Sequence, residues 1–251
     1  MINLFKKFAD YINGFRIAQC IDFKKYLYEI LDNKKGESLK ILEVGCNNRP
    51  LIDKKRYNNI YLCGLDPDSS IDKVDLVEKN VVDEFDICDF ESYQSNHNFD
   101  LIVMDMVFEH IENNKITLDK VKSLLNANGV FISHHPSDFH PYSIINRLLT
   151  HKTKIFVLKL LRPWSEVGVI TGWKSYYSKC NIISLKRICR KKQLEIFSTK
   201  FNWNASDYFA FLPPLFILIV LYEEICKLLR FQSLCASYVV QIRHQNYDSS
   251  V

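Results

Sequence analysis

The sequence predicts an α/β fold, a mostly parallel sheet with helices on both faces, and two observations predict it. Short apolar runs alternate with amphipathic segments from Leu39 to about Pro136, the pattern of strands joined by crossover helices. The strongest run, Lys40 to Pro50 (KILEVGCNNRP), ends in an acid, a glycine and a polar turn, as a central strand delivering a loop to a ligand would. In open parallel sheets ligands sit beyond the carboxyl ends of the strands, so chemistry is expected first in the loop after Val44.

The elements follow in chain order. Apolar residues at Ile2, Phe5, Phe8, Ile12, Phe15, Ile21, Tyr26 and Leu27 predict amphipathic helices within residues 1–36, broken near Asn13-Gly14 and covering one side of the sheet. Residues 37–136 carry strands at Leu39–Val44, Ile60–Leu65, Glu84–Ile87, Leu101–Asp105 and Val130–Ser133, and form the ligand-binding half. Residues 137–180 are rich in His, Tyr, Trp and Lys, with a helix around Lys154–Leu161, and form a cap over that half. Residues 181–251 add strands at Leu194–Ser198 and Ser237–Arg243, separated by an apolar helix from near Pro214 to about Phe231. The whole is read as a single domain, 1–251.

Composition narrows the classes. With 33 basic and 29 acidic residues the net charge is +4, too mild and too evenly spread to imply nucleic acid as a partner, and 47% hydrophobic residues suffice for a sizeable core. Eight cysteines stand without CxxC or Cys/His ligand spacing and read as reduced thiols. The N-terminal residues lack the continuous apolar core of a signal peptide, so a cytoplasmic location is expected. No His/Asp/Glu cluster at ligand spacing argues for a metal.

Taken together and in order, Glu43-Val-Gly45-Cys46-Asn47, Gly64-Leu-Asp66-Pro67, Phe99-Asp100-Leu-Ile-Val, Phe108-Glu109-His110, and Leu124-Leu125 with Asn128-Gly129 resemble the class I S-adenosylmethionine-dependent methyltransferases over residues 40–136. The resemblance implies a Rossmann-like seven-stranded sheet with an antiparallel last strand, and S-adenosyl-L-methionine as cofactor. Physical chemistry agrees with a methyl donor over a dinucleotide. A pyrophosphate needs several glycines and a helix N-terminus, whereas the donor carries a sulfonium and an ammonium that an acid at Glu43 favours.

Within that family pattern, Glu43, Gly45, Cys46 and Asn47 form the first donor loop. Asn47 stands where the family usually has a second glycine, and asparagine is the non-glycine residue most tolerant of positive φ. Asp66, near the ~20-residue offset of a ribose-binding acid, would accept both ribose hydroxyls, with Pro67 turning the chain after it. Cys88 and Asp89 match the position bordering the adenine, and Asp105 and Met106 face the methionine end.

Methyl transfer needs in-line positioning, and needs a base only if the acceptor atom holds a proton. His135 leads as that base because it directly follows the fifth strand. His110 is the second candidate, with His134 and His140 also in reach, and a purely structural role stays open for the His134-His135-Pro136 turn. Trp164, Trp173, Tyr176 and Tyr177, with Glu166, could stack on an acceptor ring or fill the cap.

The stretch Tyr208–Tyr222 (YFAFLPPLFILIVLY) is uncharged yet shorter than the ~20 residues of a spanning helix. With the basic run Lys186–Lys192 it is either a buried helix and its solvated neighbour or, across 208–231, a peripheral contact with the inner face of a membrane. The resemblance extends to enzymes acting on cell-surface glycans and lipid-linked sugars. It implies O-methylation of a small or glycan-type acceptor. The alternatives are a lipid-soluble, quinone-like acceptor and a non-catalytic scaffold of the same fold.

Overall fold

The computed structural model describes residues 2–17, 20–150, 152, 153, 156 and 174–245. Seven strands form one sheet: β1 (Leu39–Val44), β2 (Ile60–Asp66), β3 (Glu84–Ile87), β4 (Phe99–Asp105), β5 (Leu125–Pro136), β6 (Leu194–Asn202) and β7 (Ser237–His244). Their order is β3-β2-β1-β4-β5-β7-β6. The pairs among β1 to β5 are parallel, while β7 runs antiparallel to both β5 and β6, so the last strand in sequence alone is reversed. This is the Rossmann-like sheet the sequence predicts.

Helices α2 (Phe23–Asn33), α3 (Lys73–Glu78), α4 (Asn114–Leu124) and α6 (Ile182–Lys191) cover the sheet. Strand side chains alternate between faces, so Ile41, Val103 and Ile132 meet Leu27 and Leu31 of α2 on one side. Leu42, Ile102 and Phe131 meet Leu118 of α4 and Leu185 of α6 on the other. Side-chain caps set the helix starts: Asp22, Asp72 and Asn181 each accept a backbone N–H from the first turn.

Three expectations need correction. The N-terminal helix α1 (Ile2–Ile17) does not break at Asn13-Gly14 but runs through it. Arg16 is buried there against helix α7 (Pro213–Leu228) and Asn13 against Arg16 and Ser206, and that packing outweighs the weak helix propensity of Asn-Gly. β5 extends well before Val130, because α4 passes directly into it and Leu125 pairs with Phe99. A helix α5 (Pro141–Leu148), which the sequence reading did not place, starts on His140 and Pro141. The expected helix at Lys154–Leu161 lies largely outside the described residues.

Candidate active site

The carboxyl ends of β1, β2 and β4 meet in a cradle built mostly from backbone. Gly45 has φ +73°, and a Cβ there would lie 2.2 Å from Val107 Cγ2, so only glycine lets the loops after β1 and β4 touch. Asn47 takes the left-handed conformation at φ 51°, so the turn survives without the second glycine. Its N–H donates to Asp66 Oδ2 at 2.9 Å, and Asp68 N–H donates to Asp66 Oδ1 at 3.0 Å. The Asp66 carboxylate therefore pins two loops, and each oxygen keeps a lone pair for a further donor.

Glu43 lies beneath this loop rather than in the open cradle. Its Oε1 accepts from Leu51 N–H at 2.6 Å and its Oε2 from Ile52 N–H at 3.2 Å. Burial pushes its pKa up to about 7 despite these two donors. Cys46 also points inward: its thiol is buried and packs beside Gly64, where an added Cβ would come within 2.9 Å of Sγ. Only the backbone of Cys46 is thus available to a ligand. Pro67 and Asp89 are exposed and Cys88 is half-buried, at the rim formed by β2 and β3.

At the ends of β4 and β5 the structure joins residues that the sequence did not pair. Asp105 lies opposite His134 in the sheet register, and Asp105 Oδ1 is 2.7 Å from His134 Nδ1. Met106 has φ 54° and donates its N–H to His134 O at 2.8 Å. His134 Nε2 lies 3.2 Å from Ser237 Oγ, and its ring stacks on Phe23. The strand register carries the signal that sequence reading missed, because alternation along β5 turns His134 and His135 to opposite faces.

That alternation corrects the leading base. His135 is fully buried between Phe108 and Tyr238, with ring centroids 4.7 Å and 4.6 Å away. Its Nδ1 lies 2.9 Å from Ser133 Oγ, and burial lowers its pKa to about 3. A ring sealed in the core meets no acceptor. His140 is likewise buried, with Nδ1 accepting Tyr142 N–H as the cap of α5. His110 is half-exposed, and its Nδ1 lies 3.0 Å from the carbonyl of Lys174.

Beside the cradle, Glu109 is buried with Oε2 unpartnered, and burial, with a smaller contribution from Asp105, raises its pKa to about 8. Burial also raises the pKa values of its neighbours Tyr142 and Tyr177. Tyr142 packs on Tyr208 at 4.0 Å between ring centroids, and Asn146 Nδ2 donates to Tyr177 OH at 2.8 Å. Of the aromatic residues expected to meet an acceptor, Tyr177 is buried and Tyr176 lies under Lys174 Nζ. Trp164, Trp173 and Glu166 lie outside the described residues.

A nucleotide pyrophosphate would not fit this cradle well. Between β1 and β2 the only helical turn is a 3₁₀ segment at Lys54–Arg56, so the loop after β1 does not lead into an α-helix N-terminus. The donor set of turn, acid and open strand ends instead suits a phosphate-free nucleoside ligand. Among the described residues no group of three or more His, Cys, Asp or Glu is placed to hold a metal ion.

The sheet order and this cradle define the methyltransferase architecture. The chain belongs to the methyltransferase-domain family, whose sequence profile matches residues 12–199. No curated protein matches the sequence. Among solved structures it is similar to PKMT2 from Rickettsia typhi in complex with AdoHcy, at 13% identity and TM-score 0.54. That match covers 84% of this chain and 49% of the other, so the chain spans about half of the Rickettsia protein's length. An S-adenosylmethionine-dependent methyltransferase from Clostridium acetobutylicum aligns at 12% identity and TM-score 0.53, over 95% of this chain and 98% of that one. A geranyl diphosphate C-methyltransferase from Streptomyces coelicolor, with Mg2+, geranyl diphosphate and S-adenosyl-L-homocysteine, aligns at 8% identity and TM-score 0.54, over 88% and 80%. At these identities the likeness is one of fold.

Proposed function

We propose that the protein is an S-adenosylmethionine-dependent methyltransferase acting on a hydroxyl of a small or glycan-type acceptor. The observation that carries the reading is the left-handed Gly45-to-Asn47 turn closed onto Asp66. When bound, S-adenosylmethionine supplies an electrophilic methyl group on a sulfonium. Asp66 would accept the ribose hydroxyls, the loop from Gly45 to Asn47 would hold the methionine end through its backbone, and Cys88 and Asp89 would border the base. Met106, exposed beside Asp105, would face the reacting end.

For a hydroxyl acceptor the proton falls to His134. Asp105 would take the Nδ1–H and orient the ring, and Nε2, 3.2 Å from Ser237 Oγ, would receive the proton once the acceptor hydroxyl replaces that of Ser237. His110, half-exposed beside Glu109, is the second candidate for proton transfer. We place the reaction in the cytoplasm, where the eight free thiols stay reduced. A second reading, a lipid-soluble acceptor, is favoured by one observation, the exposed aliphatic side of α7.

Isothermal calorimetry with S-adenosylmethionine tests the donor assignment, and labelled methyl transfer to cell extract tests catalysis. Binding without transfer to any component would favour the scaffold reading. Loss of transfer in His134→Gln, with donor binding retained, supports the base.

A further inference from the structure

Helix α7 buries one of its two acids against the body of the protein. Arg16 of α1, itself buried, donates from Nη2 to Glu223 Oε2 and from Nε to Glu224 Oε1, both at 2.7 Å. Its Nη1 donates to Ser206 Oγ at 2.8 Å, while Ala205 N–H donates to Glu223 Oε1 at 2.7 Å. Glu223 is thereby sealed inside the protein, while Glu224, whose side chain stays 45% exposed, is held by Arg16 at the edge. The opposite side is aliphatic and open to solvent: Leu218 is 61% exposed, Leu221 56%, Ile225 54% and Leu228 81%. Their spacing of three and four residues sets them in one stripe along the helix.

A second helix continues the stripe. An apolar groove of about 470 Å³ is lined by Pro141 of α5 together with Leu218, Leu221, Tyr222 and Ile225 of α7. Along α5, Ile144, Ile145 and Leu148 are exposed as well. α5 contains no acid, and among the described residues the exposed Arg147, Lys152 and Arg230, with the partly exposed Lys227, outnumber the one partly exposed acid of α7, Glu224, which Arg16 already binds. An apolar surface of this kind marks a docking site, and here its rim is net cationic, since Glu223 is buried on Arg16 and Glu224 is paired with the same arginine.

We propose that the α5–α7 surface docks on an anionic lipid bilayer, with α7 lying in the plane of the headgroup boundary. The helix has 16 residues and is about 24 Å long, and among the described residues no helix is long and apolar enough to cross a membrane. An in-plane helix with an aliphatic face down and basic residues at its edges has the chemistry of a peripheral anchor. The groove begins at Pro141, shortly after β5 ends at Pro136, so the bilayer would lie near the acceptor side of the sheet.

Sedimentation of the full chain with vesicles of phosphatidylcholine, with and without phosphatidylglycerol, tests the proposal. The wild type is expected to pellet with phosphatidylglycerol vesicles and to be released by raised salt. Leu221→Asp with Ile225→Asp should lower partitioning about tenfold or more while leaving the far-ultraviolet circular dichroism unchanged. Arg147→Glu with Arg230→Glu should weaken binding to anionic vesicles and leave the apolar stripe intact. The proposal is overturned if the wild type stays in the supernatant, or if the aspartate variant pellets equally. It is also overturned if sedimentation equilibrium shows a dimer that Leu221→Asp dissolves, since a second copy would then be the occupant. Calorimetry with S-adenosylmethionine on the same samples keeps this outcome separate from the donor assignment.

Discussion

The donor cradle and the α1–α7 corner hold the molecule together by opposite means. In the cradle, local turns bring backbone N–H groups onto two buried acids: Glu43 binds Leu51 and Ile52, and Asp66 binds Asn47 and Asp68. At the α1–α7 corner one arginine gathers side chains from distant parts of the chain, with Asn13, Ser206, Glu223 and Glu224 around Arg16. The first arrangement is short-range, and a few residue types at fixed spacing specify it. The second exists only once the sheet has brought both ends of the chain together.

The largest expected effect breaks the long-range side. Arg16→Met leaves Glu223 buried without its cation, and should destabilise the protein by about 3–5 kcal/mol in denaturant unfolding. Arg16→Met combined with Glu223→Met should recover most of that loss, because an apolar pair replaces the ion pair. A double variant as unstable as the single one would show that the corner does not depend on this pair.

Gly45→Ala strikes the short-range side. Alanine at φ +73° is strained and its Cβ meets Val107, so a loss of about 3 kcal/mol is expected. Val107→Ala in the same background should restore only the part due to the clash. Equal melting temperatures for Gly45→Ala and wild type would refute the close approach of the two loops.

A pH series sharpens the contrast between the two kinds of buried acid. Glu109 Oε2 has no hydrogen-bond partner and His110 Nε2 stands 3.9 Å from its Oε1, and its folded pKa of about 8 stands above the ordinary 4.5. The folded state therefore holds a proton that the unfolded chain releases. This contribution is complete below about pH 4.5 and is lost as pH rises toward 8, and Glu43, at about 7, acts in the same direction. Glu109→Gln should flatten the fall in stability between pH 5 and pH 8, by on the order of 2 kcal/mol. Parallel melting curves for the two proteins across that range would contradict it.

The smallest effect is expected at Asn47. Asn47→Gly keeps the left-handed turn and removes only the side-chain bond from Asn48 N–H, so stability should change by less than about 1 kcal/mol. Donor affinity should be retained. A large loss of affinity would give the asparagine side chain a role in binding.

The same contrast explains what could be read from the sequence. The strands were legible because their apolar runs and turn residues are local signals, and β1 and β3 fall within the boundaries expected from them, whereas the reversed last strand was expected only from the family resemblance. The turn at Gly45 and its acid at Asp66 were legible for the same reason. The choice between His134 and His135 was not, because it depends on which face of β5 each ring takes, and that is set by pairing with β4 and β7. Nor could the sequence reveal that α1 continues through Asn13-Gly14, since the residues that hold it there lie near the other end of the chain. The apolar run from Tyr208 to Tyr222 left burial and exposure equally open. The structure divides it, with Phe216 and Ile219 buried and Leu218 and Leu221 exposed.

One titration tests the central claim most directly. S-adenosylmethionine added to the wild type in a calorimeter should give a saturable heat, and Asp66→Ala should weaken that binding at least about tenfold, as expected when a charged hydrogen-bond acceptor is removed. No heat with a folded wild type, or equal affinity in Asp66→Ala, would contradict the assignment of the cradle as a methyl-donor site.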